Sequence, residues 1–373
     1  MKLIINLIFL PQLQYNQFTI SSPSKWIIHS TYTMLANIHQ LALYGSADGF
    51  RPTWLVTILP PCLIAVVNSM LLMAIASRKI LIMDPFVNVN DIDLEMMRYQ
   101  PNGWPAIPMF VEVLMKSKRI PDDYDISHLF ACGTGAETLN NGQYRRALKF
   151  LKKHKSDAFL TVGYGLTEAG SSCFFPCPAA SQEKGAIGMP IPLNTVSIFK
   201  PGTQEELTYG EFGEICIHTP AAMLGYDDPE KTAEVLQLHA DGLNWLHTGD
   251  YGYMDKNGVL YIYGRGNTER YGGGYLSEIF MENTVIDAKI PGIIDEFFVI
   301  TEDRDHPGYF VPYLYVILEE GYTVKDIEVP VSEVLEIFER PVEIIQLPER
   351  PFFHFKTNRV GLARELKARY EQK

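Results

Sequence analysis

Three short segments in the first half of the chain are apolar on both faces. They are residues 79–83 (KILIM), 127–131 (SHLFA) and 158–163 (AFLTVG). Such strands are typical of parallel sheets, which helices cover on both sides. Segments of helical character lie between them or beside them, at residues 25–45 (after a short strand), 60–77, 91–99, 109–118 and 142–153. This alternation predicts an α/β fold, layered, with a mostly parallel sheet.

The pattern changes twice along the second half of the chain. Residues 195–200, 213–219 and 259–263 are alternating or β-branched strands separated by turn signals, which predicts a small β-rich subdomain at about 185–264. From residue 265 onward we predict a small α+β domain. Its elements are a glycine cluster at 272–274, a helix at about 277–287, strands at 297–300 and 313–318, and a last helix at 360–372. The predicted domains are therefore 1–264 and 265–373.

Composition excludes some classes of protein. The formal net charge of −12 argues against a nonspecific nucleic-acid binder, which needs a basic surface. The five cysteines are odd in number and scattered, so we expect reduced thiols and a cytoplasmic protein. The apolar run at residues 1–10 lacks the cleavage site of a signal peptide. The run at 62–76 is too short for a membrane span and contains Asn68, which favours a buried helix and no integral membrane segment.

The segment at residues 164–170 (YGLTEAG) directly follows an apolar strand. Ligands of open α/β sheets bind beyond the carboxyl ends of strands. There, the Tyr164 ring can stack on a base, and Gly165 lets the backbone approach closely. The Thr167 hydroxyl can donate to a phosphate, and the Glu168 carboxylate can bind Mg²⁺. The alternative is a loop that only caps the strand, with Thr167 beginning a helix.

The segment belongs to a longer series of motifs. In this series the sequence resembles the adenylate-forming (ANL) superfamily of AMP-dependent acyl-CoA synthetases, luciferase and peptide-synthetase adenylation domains, from about residue 22 to about 368. The matching motifs, in order, are residues 133–137 (GTGAE), 164–170 (YGLTEAG), 185–190 (GAIGMP), 210–215 (GEFGEI), 223–226 (MLGY), 231–233 (KTA), 245–250 (WLHTGD), 255–265 (DKNGVLYIYGR) and 273–274 (GG).

The resemblance implies roles for residues that match the motifs. It identifies residues 1–264 as a partial AMP-binding domain. Gly135, Ala136 and Glu137 would line an adenine pocket, and Tyr164 would stack on the ring. Thr167 would contact the α-phosphate, and Glu168 would hold the metal. Asp250 would bind both ribose hydroxyls, because one carboxylate can accept from two neighbouring hydroxyls; otherwise it is a turn residue. Arg265 would reach the ribose or phosphates, or else be a solvated arginine.

The resemblance also implies a mobile C-terminal domain. Asn267 occupies the hinge position, about which the small domain rotates between two half-reactions. Gly274 would then lie beside the pantetheine arm of coenzyme A. The alternative for residues 272–274 is an ordinary flexible turn.

Two elements depart from the family pattern. The phosphate loop corresponds to residues 19–26 (TISSPSKW), where Lys25 matches the family lysine but the glycines are missing. Only about twenty residues precede this loop, so we expect a fragment or a mis-started reading frame. Near the C-terminus, Arg359 aligns best with the lysine that bridges carboxylate and α-phosphate, and Lys356 is the nearby alternative. Arginine keeps the charge but not the point-charge geometry; both residues could instead form a solvated basic turn.

Three functions are compatible with these motifs. The first is an acid–thiol ligase that activates a carboxylic acid with ATP and Mg²⁺ as an acyl-adenylate and transfers it to coenzyme A. The second is an adenylation domain that loads a carrier protein. The third is a catalytically impaired remnant that binds only AMP or adenylate. The resemblance implies an acyl pocket between the apolar helix near residues 62–76 and the loop after Gly170. That loop, at residues 171–178 (SSCFFPCP), is bulky and apolar, which favours an apolar or aromatic acid.

Overall fold

The computed structural model describes residues 13–17, 25–45, 52–57, 63–84, 88–135, 137, 139–175, 185–266, 268–336, 338, 340–353 and 356–371. Three predicted features lie outside these residues: Ala136, the hinge residue Asn267, and positions 19–24 of the phosphate loop. Lys25 is described as backbone only. The described chain divides into two compact units, one comprising Met1–Leu139 and Arg145–Ile262, the other Asn140–Tyr144 and Tyr263–Lys373.

A five-stranded parallel sheet forms the first layer of the first unit. Its strands are β3 (Thr53–Thr57), β4 (Ile80–Asp84), β5 (Gly103–Ala106), β6 (Ala131–Thr134) and β7 (Phe159–Val162), in the order β4-β3-β5-β6-β7. The helices that alternate with them are α1 (Thr31–Gly45), α2 (π-helical turns Ala65–Leu72 with an α-helical turn Met73–Ala76), α3 (Ile92–Tyr99), α4 (Pro108–Lys116) and α5 (Asn141–Lys153). The predicted α/β fold is confirmed.

Two predicted boundaries in this layer are wrong. The strand predicted at residues 127–131 is β6, which begins at Ala131 and includes Cys132-Gly133-Thr134. The apolar residues before it, such as Leu129, are buried in the segment that leads into the strand, so their burial did not require a sheet position. Residues 25–29, predicted as the start of a helix, form strand β2 (Lys25–His29), and α1 begins only at Thr31.

The β-rich part of the first unit is a seven-stranded antiparallel sheet. Its strands are β10 (Phe174–Phe175), β11 (Ala186–Pro190), β12 (Thr195–Phe199), β13 (Gly213–His218), β15 (Leu236–Leu238), β16 (Asn244–Met254) and β17 (Leu260–Arg265). They run in the order β10-β11-β17-β16-β13-β12, and β15 pairs with β16 beside this path. Helix α6 (Pro229–Val235) precedes β15; it begins with a proline, and Asp228 accepts hydrogen bonds from the backbone amides of Glu230 and Lys231.

Short strands complete the first unit. Strand β2 pairs antiparallel with β1 (Leu13–Gln17) and with β14 (Gly225–Tyr226). Strands β8 (Gly165–Leu166) and β9 (Ser171–Ser172) form a small hairpin. The hairpin follows β7 directly, so the Tyr164–Gly170 motif lies at the carboxyl end of the parallel sheet.

The second unit has a sheet and a core of its own. Strand β18 (Ile293–Glu302) pairs antiparallel with β19 (Phe310–Leu318), which pairs parallel with β20 (Ile344–Gln346). The remaining elements are α7 (Glu278–Ala288), α8 (Val324–Val334), β21 (Phe352–Phe353), β22 (Lys356–Thr357) and α9 (Arg359–Glu371). A buried apolar cluster that includes Met281, Phe298 and Val331 joins α7, α8 and the sheet.

Two further sequence predictions concern membrane spans and cysteines. Among the described residues, no helix is long and apolar enough to span a bilayer. Cys132, Cys173 and Cys216 are buried free thiols, as expected for reduced cysteines; Cys62 and Cys177 lie outside the described residues.

Candidate functional site

Two predicted motifs meet at the carboxyl edge of the parallel sheet. Strands β6 and β7 are neighbours, and the backbone amide of Gly163, just after β7, donates to the Thr134 carbonyl at 2.7 Å. A methyl group placed on Gly135 would lie 3.6 Å from the Gly163 carbonyl oxygen. Gly135 and the residues before Tyr164 are therefore side by side where α/β sheets bind ligands. Glu137, two residues after Gly135 in the chain, is half-buried.

Tyr164 and Asp250, which are 86 residues apart, are in direct contact. The Tyr164 hydroxyl donates to Oδ2 of Asp250 at 2.6 Å. Burial and the neighbouring Asp250 carboxylate raise the pKa of Tyr164 well above its ordinary value, so the phenol keeps its proton and remains a donor. The Tyr164 ring lies 5.6 Å from the ring of Phe174, centroid to centroid. This contact joins the strand-end motif to the motif at residues 245–250.

The backbone around Asp250 is fixed by hydrogen bonds within β16 and to the neighbouring strand β13. The Asp250 amide donates to Oγ1 of Thr248 at 3.0 Å, and that hydroxyl donates to the Ile215 carbonyl at 2.7 Å. The Gly249 amide donates to Oε1 of Glu214 at 3.1 Å. Because Asp250 is only 7% exposed, these contacts place a buried carboxylate in one position.

Gly165 is needed for packing within the motif itself. A side chain there would overlap the carbonyl oxygen of Ser171 and the Cα of Ser172, because β8 and β9 pair at this point. The structure thus gives Gly165 a packing role within its own hairpin, and the close approach of its backbone to a ligand stays a prediction. Thr167–Ala169 follow as one 3₁₀ turn.

Glu168 is oriented by a residue of another predicted motif. The Tyr226 hydroxyl donates to Oε1 of Glu168 at 2.8 Å, and the Met223 amide donates to the Glu168 carbonyl at 2.7 Å. A carboxylate that one hydroxyl holds at a turn is suited to Mg²⁺, which commonly takes one or two carboxylates together with water and phosphate oxygens.

Sequence reasoning missed His29, which forms a hydrogen bond to the turn at Thr167–Ala169. Its Nε2 atom donates to the Thr167 carbonyl at 2.8 Å, and Nδ1 lies 3.1 Å from Oγ1 of Thr33. The side chain is fully buried, and burial lowers its pKa, so the ring stays neutral. Its position at the end of a short strand with the apolar residues Ile27 and Ile28 was the available signal.

Three side-chain amides hold the segment after the motif, and sequence reasoning missed this role. Asn68 donates to the Gly170 carbonyl at 2.7 Å, Asn37 to that of Ser172 at 3.2 Å, and Asn194 to that of Cys173 at 3.2 Å. Asn68 is the polar residue within the apolar helix, and it is fully buried. A polar residue in an apolar helix was a usable signal for Asn68, whereas nothing local marks Asn37 or Asn194.

The other predicted site residues lie in the second unit. Nε of Arg359 donates to the Phe298 carbonyl at 3.0 Å, and its guanidinium forms ion pairs with Glu282 at 2.7 Å and Glu278 at 3.3 Å. Lys356 is exposed in β22. Arg265 is exposed at the end of β17, whose last three residues belong to the second unit.

Gly274 closes a turn that only glycine adopts readily. Gly272, Gly273 and Gly274 have φ angles of 95°, 96° and 90°. The Arg270 amide donates to the Gly274 carbonyl at 2.9 Å, and a methyl group on Gly274 would lie 3.4 Å from Nε of Arg270. The role predicted for Gly274 beside pantetheine stays a prediction, as do the ligand contacts of the other site residues.

Comparisons with known proteins give one consistent family. The model of the AMP-binding enzyme family matches residues 23–227. The chain is 31% identical over 304 residues to 4-coumarate–CoA ligase 2 of Nicotiana tabacum, covering 79% of this chain and 52% of that protein. It is 30% identical over 225 residues to luciferin 4-monooxygenase of Luciola mingrelica, covering 60% and 38%. The chain spans about half the length of the curated relatives it matches, or less.

Solved structures agree on the fold. ATP-bound MatB from Rhodopseudomonas palustris superimposes with a TM-score of 0.78 at 21% identity, covering 96% of this chain and 68% of that one. An anthranilate CoA ligase in complex with anthranoyl-AMP superimposes with a TM-score of 0.78 at 17% identity, covering 95% and 68%.

Proposed function

The chain belongs to the AMP-binding enzyme family, and on this premise we propose that it is the nucleotide-binding part of an acid–thiol ligase. Such an enzyme activates a carboxylic acid with ATP and Mg²⁺ as an acyl-adenylate and then transfers the acyl group to coenzyme A. The observation that carries the proposal is the 2.6 Å hydrogen bond between Tyr164 and Asp250. It supports one adenosine site built from two distant motifs.

The predicted site residues near the carboxyl edge of the parallel sheet each have a proposed role in nucleotide binding. Gly135 and Glu137 line the adenine, and the Tyr164 ring stacks on it. Asp250 accepts from both ribose hydroxyls, since a buried carboxylate has more than one acceptor site. The Thr167 hydroxyl donates to the α-phosphate at the turn that His29 supports.

Glu168 is the proposed metal ligand. Bound Mg²⁺ would neutralise phosphate charge and polarise the phosphoryl oxygens. The chain's own contribution is to orient the Glu168 carboxylate, through the Tyr226 hydroxyl, beside the α-phosphate site.

We propose an aromatic or apolar acid as the substrate. Phe174 is buried next to Tyr164 and follows the segment that the three amides hold. A relative named as a 4-coumarate ligase is consistent with an aromatic acid.

The test is carboxylate-dependent exchange of labelled pyrophosphate into ATP, over a panel of aromatic and aliphatic acids. We expect exchange with at least one aromatic acid and thioester formation when coenzyme A is added. Glu168→Gln keeps the acceptor oxygen for Tyr226 but loses the charge, so exchange should fall about 100-fold while metal-free AMP binding stays unchanged. Absence of exchange with every acid would refute the ligase proposal for this chain.

One observation favours a second candidate, a protein that binds AMP or an acyl-adenylate without forming it. Arg359 is the residue that aligns best with the bridging lysine of the family, and its guanidinium is engaged by two carboxylates and a carbonyl. In that case AMP binds, exchange is absent, and Arg359→Lys raises exchange above background.

A further inference from the structure

A cluster of metal-binding side chains lies in the β-rich sheet, apart from Glu168 and the residues proposed to bind the nucleotide. Cys216 of β13 is directly opposite His247 of β16, and Glu214 lies two positions before Cys216. One ligand atom from each of these three residues lies within 4.8 Å of the others. Nδ1 of His247 is 2.9 Å from Oε2 of Glu214 and 3.4 Å from Sγ of Cys216.

These distances are near those that a tetrahedral ion requires. Bonds of about 2.0–2.3 Å to nitrogen, oxygen and sulfur place tetrahedral ligand atoms roughly 3.3–3.6 Å apart. The two distances from Nδ1 of His247 differ from this range by a few tenths of an ångström at most, and the Glu214 carboxylate and Sγ of Cys216 lie within 4.8 Å of each other. Imidazole, thiolate and carboxylate together are a donor set for zinc and related transition metals, and not for magnesium.

A second histidine, His239, contacts the ring of His247. Nε2 of His239 is 3.0 Å from Nε2 of His247, on the side of the ring away from Glu214 and Cys216. Metal-ligating histidines nearly always use their second nitrogen in a hydrogen bond that fixes the ring. His239 is 5% exposed and supplies that partner.

The cluster lies in an apolar environment. Phe199, Cys216 and Trp245 form a buried core cluster, and the Phe199 ring lies 4.8 Å from the His239 ring. Oε1 of Glu214 accepts a hydrogen bond from the Gly249 amide, and Oε2 faces Nδ1 of His247. Restricted access of water strengthens ionic contacts to a bound ion.

We propose that Glu214, Cys216 and His247 bind one divalent transition-metal ion of the zinc class, with His239 as the positioning residue for the His247 ring. This site goes beyond the proposed ligase function and is separate from the magnesium ligand.

Protons balance in the proposed binding step. Because the Glu214 carboxylate can only accept, His247 without the ion donates to it from Nδ1, and in the neutral ring Nε2 is then the acceptor for His239. When the ion binds, Nδ1 of His247 becomes a ligand, its Nε2 carries the proton and donates to His239, and His239 moves its own proton to Nδ1. The Cys216 thiol loses one proton to solvent, so that thiolate and carboxylate together neutralise the ion. One proton is released for each ion bound.

The test is titration of the metal-stripped full chain with Co²⁺, read by absorbance, with Zn²⁺ as competitor. We expect one high-affinity ion per chain, a thiolate-to-cobalt charge-transfer band in the near ultraviolet, and its loss when Zn²⁺ is added. Cys216→Ser should remove the band, and Cys132→Ser, which alters another buried thiol, should leave it unchanged. His239→Gln should weaken affinity about 10-fold to 100-fold while the band persists.

Glu214→Gln and His247→Gln keep the thiol and give a second measurement should Cys216→Ser not fold. Each should lower Co²⁺ affinity at least about 10-fold, with proton release close to one per ion in the unaltered chain, measured by calorimetry in two buffers. The proposal is overturned if the unaltered chain shows no band, or if the band survives in Cys216→Ser. It is equally overturned if both Gln variants bind cobalt as tightly as the unaltered chain, since the four residues then form only a hydrogen-bonded network.

Discussion

At the scale of single residues, the hydroxyl and the ring of Tyr164 are proposed to contribute to nucleotide binding in different ways. The hydroxyl orients the Asp250 carboxylate at 2.6 Å, whereas the aromatic ring is proposed to stack on adenine. Tyr164→Phe removes only the hydroxyl. The loss of one hydrogen bond corresponds to about 0.5–1.5 kcal/mol, so AMP affinity measured by calorimetry should fall roughly 2-fold to 10-fold. Tyr253→Phe, on the same strand as Asp250, is the matched control and should bind AMP normally.

The ion pair between Arg359 and Glu282 is expected to stabilise the second unit. The Glu282 carboxylate is 3% exposed and faces the guanidinium at 2.7 Å. Arg359→Ala leaves this carboxylate buried without its partner charge, so the free energy of unfolding should fall by about 3–5 kcal/mol. In the double variant Arg359→Ala/Glu282→Gln much of the loss should be recovered in urea unfolding. Equal stability of the single and the double variant would contradict a destabilising effect of the unpaired Glu282 charge.

At the scale of elements, the hairpin β8–β9 positions the turn that carries Thr167 and Glu168. It depends on Gly165, because any side chain there overlaps the Ser171 backbone. Gly165→Ala should lower the melting temperature and weaken AMP binding together. Gly133→Ala on β6 is the control, since its added methyl group would meet only Oγ1 of Thr161 at 3.5 Å. If the two variants melt alike, the hairpin does not constrain the turn.

His29 connects β2, helix α1 and the same turn, and its burial gives a pH dependence. The folded-state pKa is lowered from about 6.5, so the unfolded chain takes up a proton at a higher pH than the folded protein does. The stability that neutral His29 provides is therefore complete above about pH 6.5 and is lost as the pH falls toward the folded-state value. Between pH 7 and pH 5, His29→Gln should lose less stability than the unaltered chain in urea unfolding. A slope identical in both proteins would contradict this role.

Helices and strands were predictable from the local sequence where an apolar run or a helical periodicity was uninterrupted. The strand of β7 and the helix α5 lie within a residue or two of their predicted bounds, because apolar runs and helical periodicity define them locally. Strand β6 was displaced by a few residues, since its small residues Cys132, Gly133 and Thr134 carry no strand pattern. The roles of Asn37 and Asn194 depend on carbonyls that the fold brings near from other parts of the chain, and local patterns do not encode such pairings.

At the scale of the whole molecule, each unit has buried apolar residues of its own, so each is expected to unfold as a separate cooperative transition. Phe298 is fully buried in the core of the second unit. Phe298→Ala should destabilise that unit by about 3–5 kcal/mol and leave the other calorimetric transition in place. Phe352→Ala, at a residue that is 40% exposed, is the control. A shift of both transitions together would contradict independent units.

The adenosine site is the central claim, and AMP binding by titration calorimetry tests it most directly. We predict one AMP site per chain in the unaltered protein. Asp250→Ala should lower the affinity at least about 100-fold, because two charge-assisted hydrogen bonds to the ribose are lost. Asp122→Ala, at a carboxylate that is 94% exposed, should bind AMP like the unaltered chain. Absence of AMP binding by the unaltered chain, or unchanged affinity in Asp250→Ala, would contradict the site described.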